Sequence, residues 1–294
     1  MNEFYTESFG PIQKYNFIKF VPEMRTHSGL SVYRIGNTIF DTGSLPASAF
    51  LLKELKKNPP KQVILSHQHE DHIGGLKAIK EEFGDIPVYC PKEHIKIIQT
   101  GYKVPAYRQA YWGDIKPVSN LIPYDENTEF TEGAYRIQVI PSPGHTPGHR
   151  SFIIRTKEET YIHTGDLYIS PRLPNAFYET SVPDMIHSLE SLLTIKENFA
   201  MLPSHGSIYL DAKKRLLQLL NWYKKETEVI LSLADSLHTK DYNRIFKERY
   251  KSYNAIELAS KGELGRLALI RGIIEPVTSL PASPICLDPE LLEI

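Results

Sequence analysis

Apolar and polar positions alternate over residues 17–21 (FIKFV) and 31–41 (SVYRIGNTIFD), and the second stretch breaks at Gly36-Asn37. A period-two alternation around such a dipeptide predicts strands joined by a tight turn. Asp41-Thr-Gly43 then closes the hairpin. A helix is expected from about Pro46 to Lys57, with Ser44 as its cap and Asn58-Pro-Pro60 as its stop. The apolar run Val63-Ile64-Leu65 predicts a buried strand. Residues 74–83 place Leu76, Ile79 and Phe83 on one helical face, Ile86–Cys90 reads as a short strand, and Pro91–Thr100 as a helix with proline in its first turn. This alternation predicts an α/β fold. Strands are expected again at 134–140, 150–155 and 159–164, then a helix at about 183–197 and a short strand before His205. From Tyr209 the pattern is helical. Asp211–His238 carries Leu216, Leu220, Tyr223 and Ile230 on one stripe, and helices follow at about 241–250, 254–260 and 263–272. Ile273–Val277 reads as a closing strand, and the Pro-rich stretch from Thr278 as an extended tail. The chain shows no internal repeat.

Residues 101–127 interrupt the alternation with four tyrosines, one tryptophan and three prolines. Such a stretch is a packed flap or a lid that shapes a pocket; Tyr107, Arg108, Tyr111 and Trp112 are its candidate pocket residues. In the loop 167–181, Tyr168, Arg172 and Tyr178 are placed to line the same pocket. A phenol can donate a hydrogen bond to an oxyanion, which makes Tyr168 a candidate substrate-binding residue beside Tyr111.

Composition narrows the picture only slightly. The chain has 294 residues, 41% hydrophobic and 23% charged, with net charge −1, an ordinary globular composition with no global pull toward nucleic acid or anionic membrane. Cys90 and Cys286 do not form a disulfide framework. The opening MNEFYTESFG lacks the features of a signal peptide, and no stretch approaches the length of a membrane span. A cytoplasmic protein is expected.

The candidate chemistry lies in His67-Gln-His-Glu-Asp-His72, directly after the run Val63–Leu65 and before Gly74-Gly75. Imidazole and carboxylate suit zinc and similar divalent ions. In an extended segment His67 and His69 point the same way and can grip one ion, while Asp71 and His72, where the chain turns into a helix, can face a second. Three later segments place a His or Asp beside Gly or Pro at the end of an apolar run: Pro141–His149 with His145, Tyr161–Asp166, and Met201–Gly206 with His205. Loop-borne functional residues of α/β sheets sit at such places.

In these residues the chain resembles the metallo-β-lactamase superfamily of hydrolases. His67-Gln-His-Glu-Asp-His72 stands for its HxHxDH motif, and the three later segments match its remaining motifs in order, over about residues 30–208. The resemblance implies a four-layer αβ/βα sandwich with a C-terminal helical, winged-helix-like extension. The catalytic domain would span 1–208, and a helical subdomain and tail 209–294. His67, His69 and His145 would hold one metal, Asp71, His72 and His205 the second, and Asp166 would bridge them. The set contains no cysteine, unlike the Cys-containing β-lactamase site. Asp41-Thr-Gly43 would be a supporting turn and His149 a loop-shaping residue. His163 alternates with Asp166 and is expected to face away from the metals; His27, His94, His187 and His238 have no cluster around them.

The cofactors implied are two divalent ions, with zinc favoured by the ligands and iron or manganese also compatible. Two ions about 3.5–4 Å apart share a bridging water and lower its pKa toward neutrality. Asp71 would orient that hydroxide and pass a proton to the leaving group. The expected function is metal-dependent hydrolysis of a small-molecule ester, lactone or thioester, since the neutral charge and the aromatic 101–127 stretch suit an apolar acyl pocket. A phosphodiesterase or ribonuclease is the alternative, because residues 211–271 hold 13 Lys/Arg against 8 Asp/Glu. A non-catalytic binding module is a third. No membrane partner is expected, and the apolar stripes of the C-terminal helices leave a homodimer open.

Overall fold

The computed structural model describes residues 3–21 and 26–276. The chain forms two compact units that interleave in sequence: residues 1–141, 150–166 and 199–210, and residues 142–149, 167–198 and 211–294.

The first unit holds two sheets. Strands β1 (Glu3–Phe9), β2 (Ile12–Val21), β3 (Thr26–Ile35) and β4 (Thr38–Phe40) run as an antiparallel meander. The sheet continues in parallel through β5 (Gln62–Ile64), β6 (Val88–Pro91) and β7 (Ile122–Tyr124). Parallel neighbours need crossovers, and these carry helices α1 (Ser48–Leu55), α2 (Glu70–Ile73), α3 (Leu76–Phe83), α4 (Ile95–Thr100) and α5 (Ala106–Trp112). The second sheet has the order β13-β11-β10-β9-β8, built from β8 (Glu129–Glu132), β9 (Tyr135–Pro141), β10 (Arg150–Arg155), β11 (Thr160–Gly165) and β13 (Ala200–Pro203).

One apolar cluster joins the two sheets, with Ile12, Tyr33, Phe40 and Ile64 from the first and Ile137, Val139, Phe152 and Leu202 from the second. Another packs Leu51, Leu55, Leu76, Ile79 and Ile98 of the helices on Ile39, Val63 and Val88. β4 and β5 are therefore covered on both faces, which is why Val63-Ile64-Leu65 reads as a continuous apolar run. The loops that follow β5, β11 and β13 leave the carboxyl ends of their strands, where α/β sheets carry their ligands.

The second unit holds β12 (Ala176–Phe177) paired with β14 (Leu264–Gly265), and helices α6 (Val182–Leu193), α7 (Ala212–Ser236), α8 (Tyr242–Tyr250), α9 (Ala255–Ser260) and α10 (Arg266–Ile274). Helix α7 buries Leu216, Leu220, Tyr223 and Ile230, the stripe expected from the sequence. Helix starts are set by side chains: Ser181 accepts from the Asp184 amide, Asp241 from Asn243 and Arg244, and Asn254 with Glu257 forms a capping box.

Several expectations are corrected. Ser44 makes no side-chain cap; a 3-10 turn at Leu45–Ala47 precedes α1 instead. The helical region after the histidine motif starts at Glu70, so Asp71 and His72 lie inside a helical turn. Residues 101–127 are not wholly irregular, since they contain α5 and β7. Ile273 and Ile274 end α10 and form no strand; Val277, the tail from Thr278 and Cys286 lie outside the described residues.

Gly74 and Gly75 mark a close approach. A Cβ on Gly75 would lie 2.3 Å from the Thr42 carbonyl oxygen, and one on Gly74 2.5 Å from the Glu70 oxygen and the Leu45 nitrogen. The Gly75 amide donates to the Gly43 carbonyl at 3.0 Å, and the Thr42 amide to the His72 carbonyl at 2.7 Å. Only a residue without a side chain lets the two loops interlock. Gly75→Ala is expected to destabilise the protein by about 1–3 kcal/mol through overpacking, seen as a lower urea midpoint with an unchanged slope. An unchanged midpoint would mean that the contact yields freely.

Candidate metal centre

The motif leaves β5 as an extended strand end and turns helical at Glu70, with His69 at the N-cap in β geometry. The extended part sends His67 and His69 together: their rings are 4.7 Å apart and His67 Nε2 lies 3.1 Å from His69 Nδ1. The helical turn redirects Asp71 and His72.

Asp41 organises both halves. It is buried and sits in the left-handed region at φ 61, which aspartate tolerates better than most residues. Its Oδ1 accepts from the Ser66 amide at 2.7 Å, and its Oδ2 accepts from the Ser66 hydroxyl at 2.7 Å and from His72 Nδ1 at 2.8 Å. The Ser66 hydroxyl has one proton and gives it to Asp41, so at 2.9 Å it accepts from His67 Nδ1. The same logic fixes the other rings: His72 Nδ1–H faces Asp41, and His205 Nδ1–H donates to the Gly29 carbonyl at 2.7 Å. The Nε2 atoms of His67, His72 and His205 are thereby turned inward, the orientation that metal-ligating imidazoles require.

Four residues converge in the first unit, with ligand atoms of Asp71, His72, Asp166 and His205 all within 4.8 Å of one another. His72 Nε2 is 3.3 Å from Asp166 Oδ1 and 3.9 Å from Asp71 Oδ2, and His205 Nε2 is 3.2 Å from Asp71 Oδ2 and 3.3 Å from Asp166 Oδ2. His72 Nε2 is buried without a hydrogen bond of its own. Two imidazole nitrogens and two carboxylates that face inward, each ring anchored from behind, fit a divalent cation.

Burial disfavours charge on all four groups, and their mutual attraction overrides it. His72 and His205 hold the Asp71 carboxyl at about 2, and together hold Asp166 well below the usual carboxylate range. In return, Asp166 and Asp71 lift His205 to about 10 and His72 well above its ordinary value.

The His205 turn is held by the β2–β3 hairpin. The Ser31 amide donates to the Ser204 carbonyl at 2.8 Å, the Tyr33 hydroxyl to the Pro203 carbonyl at 2.9 Å, and the buried Lys14 ammonium to the Gly206 carbonyl at 2.8 Å. His163 points into the core among Tyr33, Phe40 and Phe152, as its alternation suggests. Its Nδ1 donates to the Leu202 carbonyl at 2.8 Å, and its Nε2 comes within 3.6 Å of the Asp41 carboxylate, so it supports the centre from behind.

His145 is buried on the 142–149 loop of the second unit, 5.5 Å ring to ring from Phe177. That loop is closed by Ser142 and His149: the amide of Ser142 donates to the His149 carbonyl, and the Ser142 hydroxyl lies 2.9 Å from His149 Nδ1. It is tied to α6 by the Ser188 hydroxyl on the Pro143 carbonyl at 2.7 Å. Tyr111 is buried on α5 in the first unit. Tyr168 is fully buried in the second unit, where its phenol and the Arg215 guanidinium interact. Lys14 and Ser66 have no motif to announce them, and Arg108, a candidate pocket residue, is instead buried against Glu70 of the histidine motif. Each acts on a partner far along the chain or through the backbone.

The sequence profile of the metallo-beta-lactamase superfamily matches residues 28–220. The chain belongs to the metallo-β-lactamase superfamily. The hydroxyacylglutathione hydrolase of Wigglesworthia glossinidia brevipalpis is 28% identical over 229 residues, 73% of this chain and 76% of that protein. The beta-lactamase-like protein 2 homolog of Drosophila melanogaster is 25% identical over 232 residues, 71% of this chain and 70% of that protein. Among solved structures, a metallo-beta-lactamase from Pontibacter korlensis superposes with a TM-score of 0.59 at 17% identity, covering 76% of this chain and 99% of that one. The protein is a hydrolase of this superfamily. It has the superfamily's α/β fold with a run of C-terminal helices, and among its described residues no helix is long and apolar enough to cross a membrane.

The charge network fixes a pH dependence for the metal-free protein. His205 is raised from 6.5 to about 10, so its stabilisation is complete below pH 6.5 and is lost as pH rises toward 10. Asp71 is lowered from 3.8 to about 2, so its contribution is complete above pH 3.8 and is lost as pH falls toward 2. Metal-free protein is expected to melt at a lower temperature at pH 8.5 than at pH 6. The gain on adding zinc should be larger at pH 8 than at pH 6, because binding displaces protons. A melting temperature flat from pH 6 to 9 would contradict the network.

Proposed function

We propose that this hydrolase uses two divalent metal ions to cleave a small-molecule ester, lactone or thioester, with a thioester foremost. The observation that carries the reading is the inward-facing set of anchored imidazoles and carboxylates around Asp71, His72, Asp166 and His205, beside the His67–His69 pair. The thioester preference draws on the relative named hydroxyacylglutathione hydrolase, of which the matched region covers 76%.

In this reading His67, His69 and His145 would hold one ion and Asp71, His72 and His205 the other, with Asp166 available to both. Imidazole-rich ligation favours zinc, and iron or manganese suits the same donors. When bound, such ions acidify a water toward neutral pH and polarise the scissile group. The chain's own residues do the rest. Asp41 and Ser66 fix the ring orientations, and burial keeps bulk water from competing. Asp71, which faces His205 across 3.2 Å, orients the attacking water and carries its proton to the leaving group. Tyr111 and Tyr168 stay substrate-side candidates. Residues 1–208 carry the catalysis, 209–294 form the appended helices and tail, and the enzyme works in the cytoplasm.

A phosphodiester substrate is the second reading. It draws on the excess of 13 Lys/Arg over 8 Asp/Glu in residues 211–271, the kind of local charge that attracts a polyanion.

The test joins metal content to a substrate panel of a lactone, a thioester, an aryl ester and bis-p-nitrophenyl phosphate. Two metals per chain with turnover of an acyl substrate are expected. Asp71→Asn should lower kcat by about 10²–10⁴-fold, and Asp166→Ala should also lose metal. Preference for the phosphodiester would select the second reading, and metal well below one per chain with no turnover would overturn both.

A further inference from the structure

Helix α5 is attached to the metal-binding turn by a pair of charges that the proposed chemistry does not use. Glu70 stands between His69 and Asp71. Its carboxylate is 1% exposed, and Arg108 on α5 is 5% exposed. Arg108 Nε donates to Glu70 Oε1 at 2.7 Å and Nη2 to Oε2 at 2.6 Å. The Tyr102 hydroxyl, 3.1 Å from Glu70 Oε2, is also 3.2 Å from the Gln68 carbonyl oxygen.

A buried ion pair is a poor way to gain stability, because desolvation cancels most of the attraction and an apolar pair of equal volume does as well or better. What a forked guanidinium–carboxylate pair provides is a fixed distance and angle. Helix α5 is fixed at its other end too. The Lys19 ammonium donates to the carbonyls of Ala110 and Tyr111 and sits 5.5 Å over the Tyr111 ring, where a cation complements the helix C-terminus. Gly113 follows at φ +78, and a Cβ there would come within 2.9 Å of Leu45. The segment is therefore tied down at both ends.

The element so fixed presents aromatic surface to the centre. Trp112 is half-buried, its ring 6.1 Å from the His205 ring and 6.2 Å from Phe17. Next to it, the buried Tyr111 hydroxyl finds no hydrogen-bond partner among the described residues.

We propose that α5 is a rigid wall of the substrate site, locked to the metal-binding turn by Glu70–Arg108, and that Trp112 on it selects substrates with a large apolar acyl group. Glu70 and Arg108 are positioning residues, and Trp112 is the specificity determinant. The proposal rests on the acyl-hydrolase reading above and names its substrate class: acyl chains or arylacyl groups in preference to acetyl.

The test uses the zinc-loaded full chain and two readouts. The first is kcat/KM for an acetyl, a phenylacetyl and a decanoyl thioester. The second is calorimetric binding of acetate, phenylacetate and decanoate, which needs no turnover. Wild type is expected to prefer the larger groups in both. Trp112→Ala should cut that preference by about 10-fold or more, through KM and with zinc content unchanged, and Trp112→Phe should keep most of it. Arg108→Met alone leaves a buried carboxylate unpaired and risks misfolding. The double variant Glu70→Leu/Arg108→Met removes both charges, and should fold, lose the same preference, and bind zinc about 10-fold more weakly in chelator competition. Unchanged acyl preference in Trp112→Ala would overturn the role of Trp112. Wild-type preference and zinc affinity in the double variant would overturn the clamp. If no thioester, aryl ester or lactone turns over while the carboxylates still bind in the predicted order, the acyl-hydrolase reading fails and the wall stands.

Discussion

The buried carboxylate of Asp41 is the constraint on which the metal centre depends. It accepts from the backbone and hydroxyl of Ser66 and from His72 Nδ1, and His163 approaches it at 3.6 Å. Through Ser66 it sets the orientation of His67, and directly it sets that of His72, so one group decides which nitrogen of two rings faces inward. It can do this because Asp41 follows β4, the strand next to β5, and because Gly74 and Gly75 let the two loops touch. The strand pairing, the glycines and the ring orientations form one chain of causes.

Charge explains how two buried carboxylates and two buried imidazoles lie side by side. Asp71 and Asp166 are buried within 3.9 Å of two imidazoles. Desolvation alone would neutralise such carboxylates. The imidazolium charges keep them ionised instead, and the same carboxylates hold the protons on the rings. A divalent ion carries a charge of the same sign as those protons, and the four inward-facing groups suit such an ion. The His205 end is held independently, by the backbone of the β2–β3 hairpin and by Lys14.

Much of this was legible in the sequence for a physical reason. His67, His69, Asp71, His72, Asp166 and His205 each follow an apolar run that had to be a strand, and strand ends on α/β sheets are where loops can carry function. The same segments, in that order, carry the resemblance to the superfamily's motifs. The long α7 and its buried stripe were legible for a similar reason, since apolar residues recurring at helical spacing over 25 residues fit neither a strand nor a loop. The supporting contacts were hidden because they are not local. Glu70 reads as an ordinary polar residue until α5 folds back with Arg108, 38 positions away. Lys14 sits in a strand and meets Gly206 across 192 positions. The start of the helix at Glu70 was missed because Gly74-Gly75 looks like an N-terminal boundary, whereas the glycines are there for the approach of Thr42.

The most direct measurement of the central claim is zinc binding by metal-free wild type and Asp41→Asn, read by calorimetry with far-UV circular dichroism as the check on folding. The expected result is a folded variant whose zinc affinity is about 10–100-fold weaker, because an asparagine NH2 cannot accept, so either the Ser66 amide or the Ser66 hydroxyl and His72 lose their acceptor. A folded variant that binds zinc as tightly as wild type would contradict the role of Asp41.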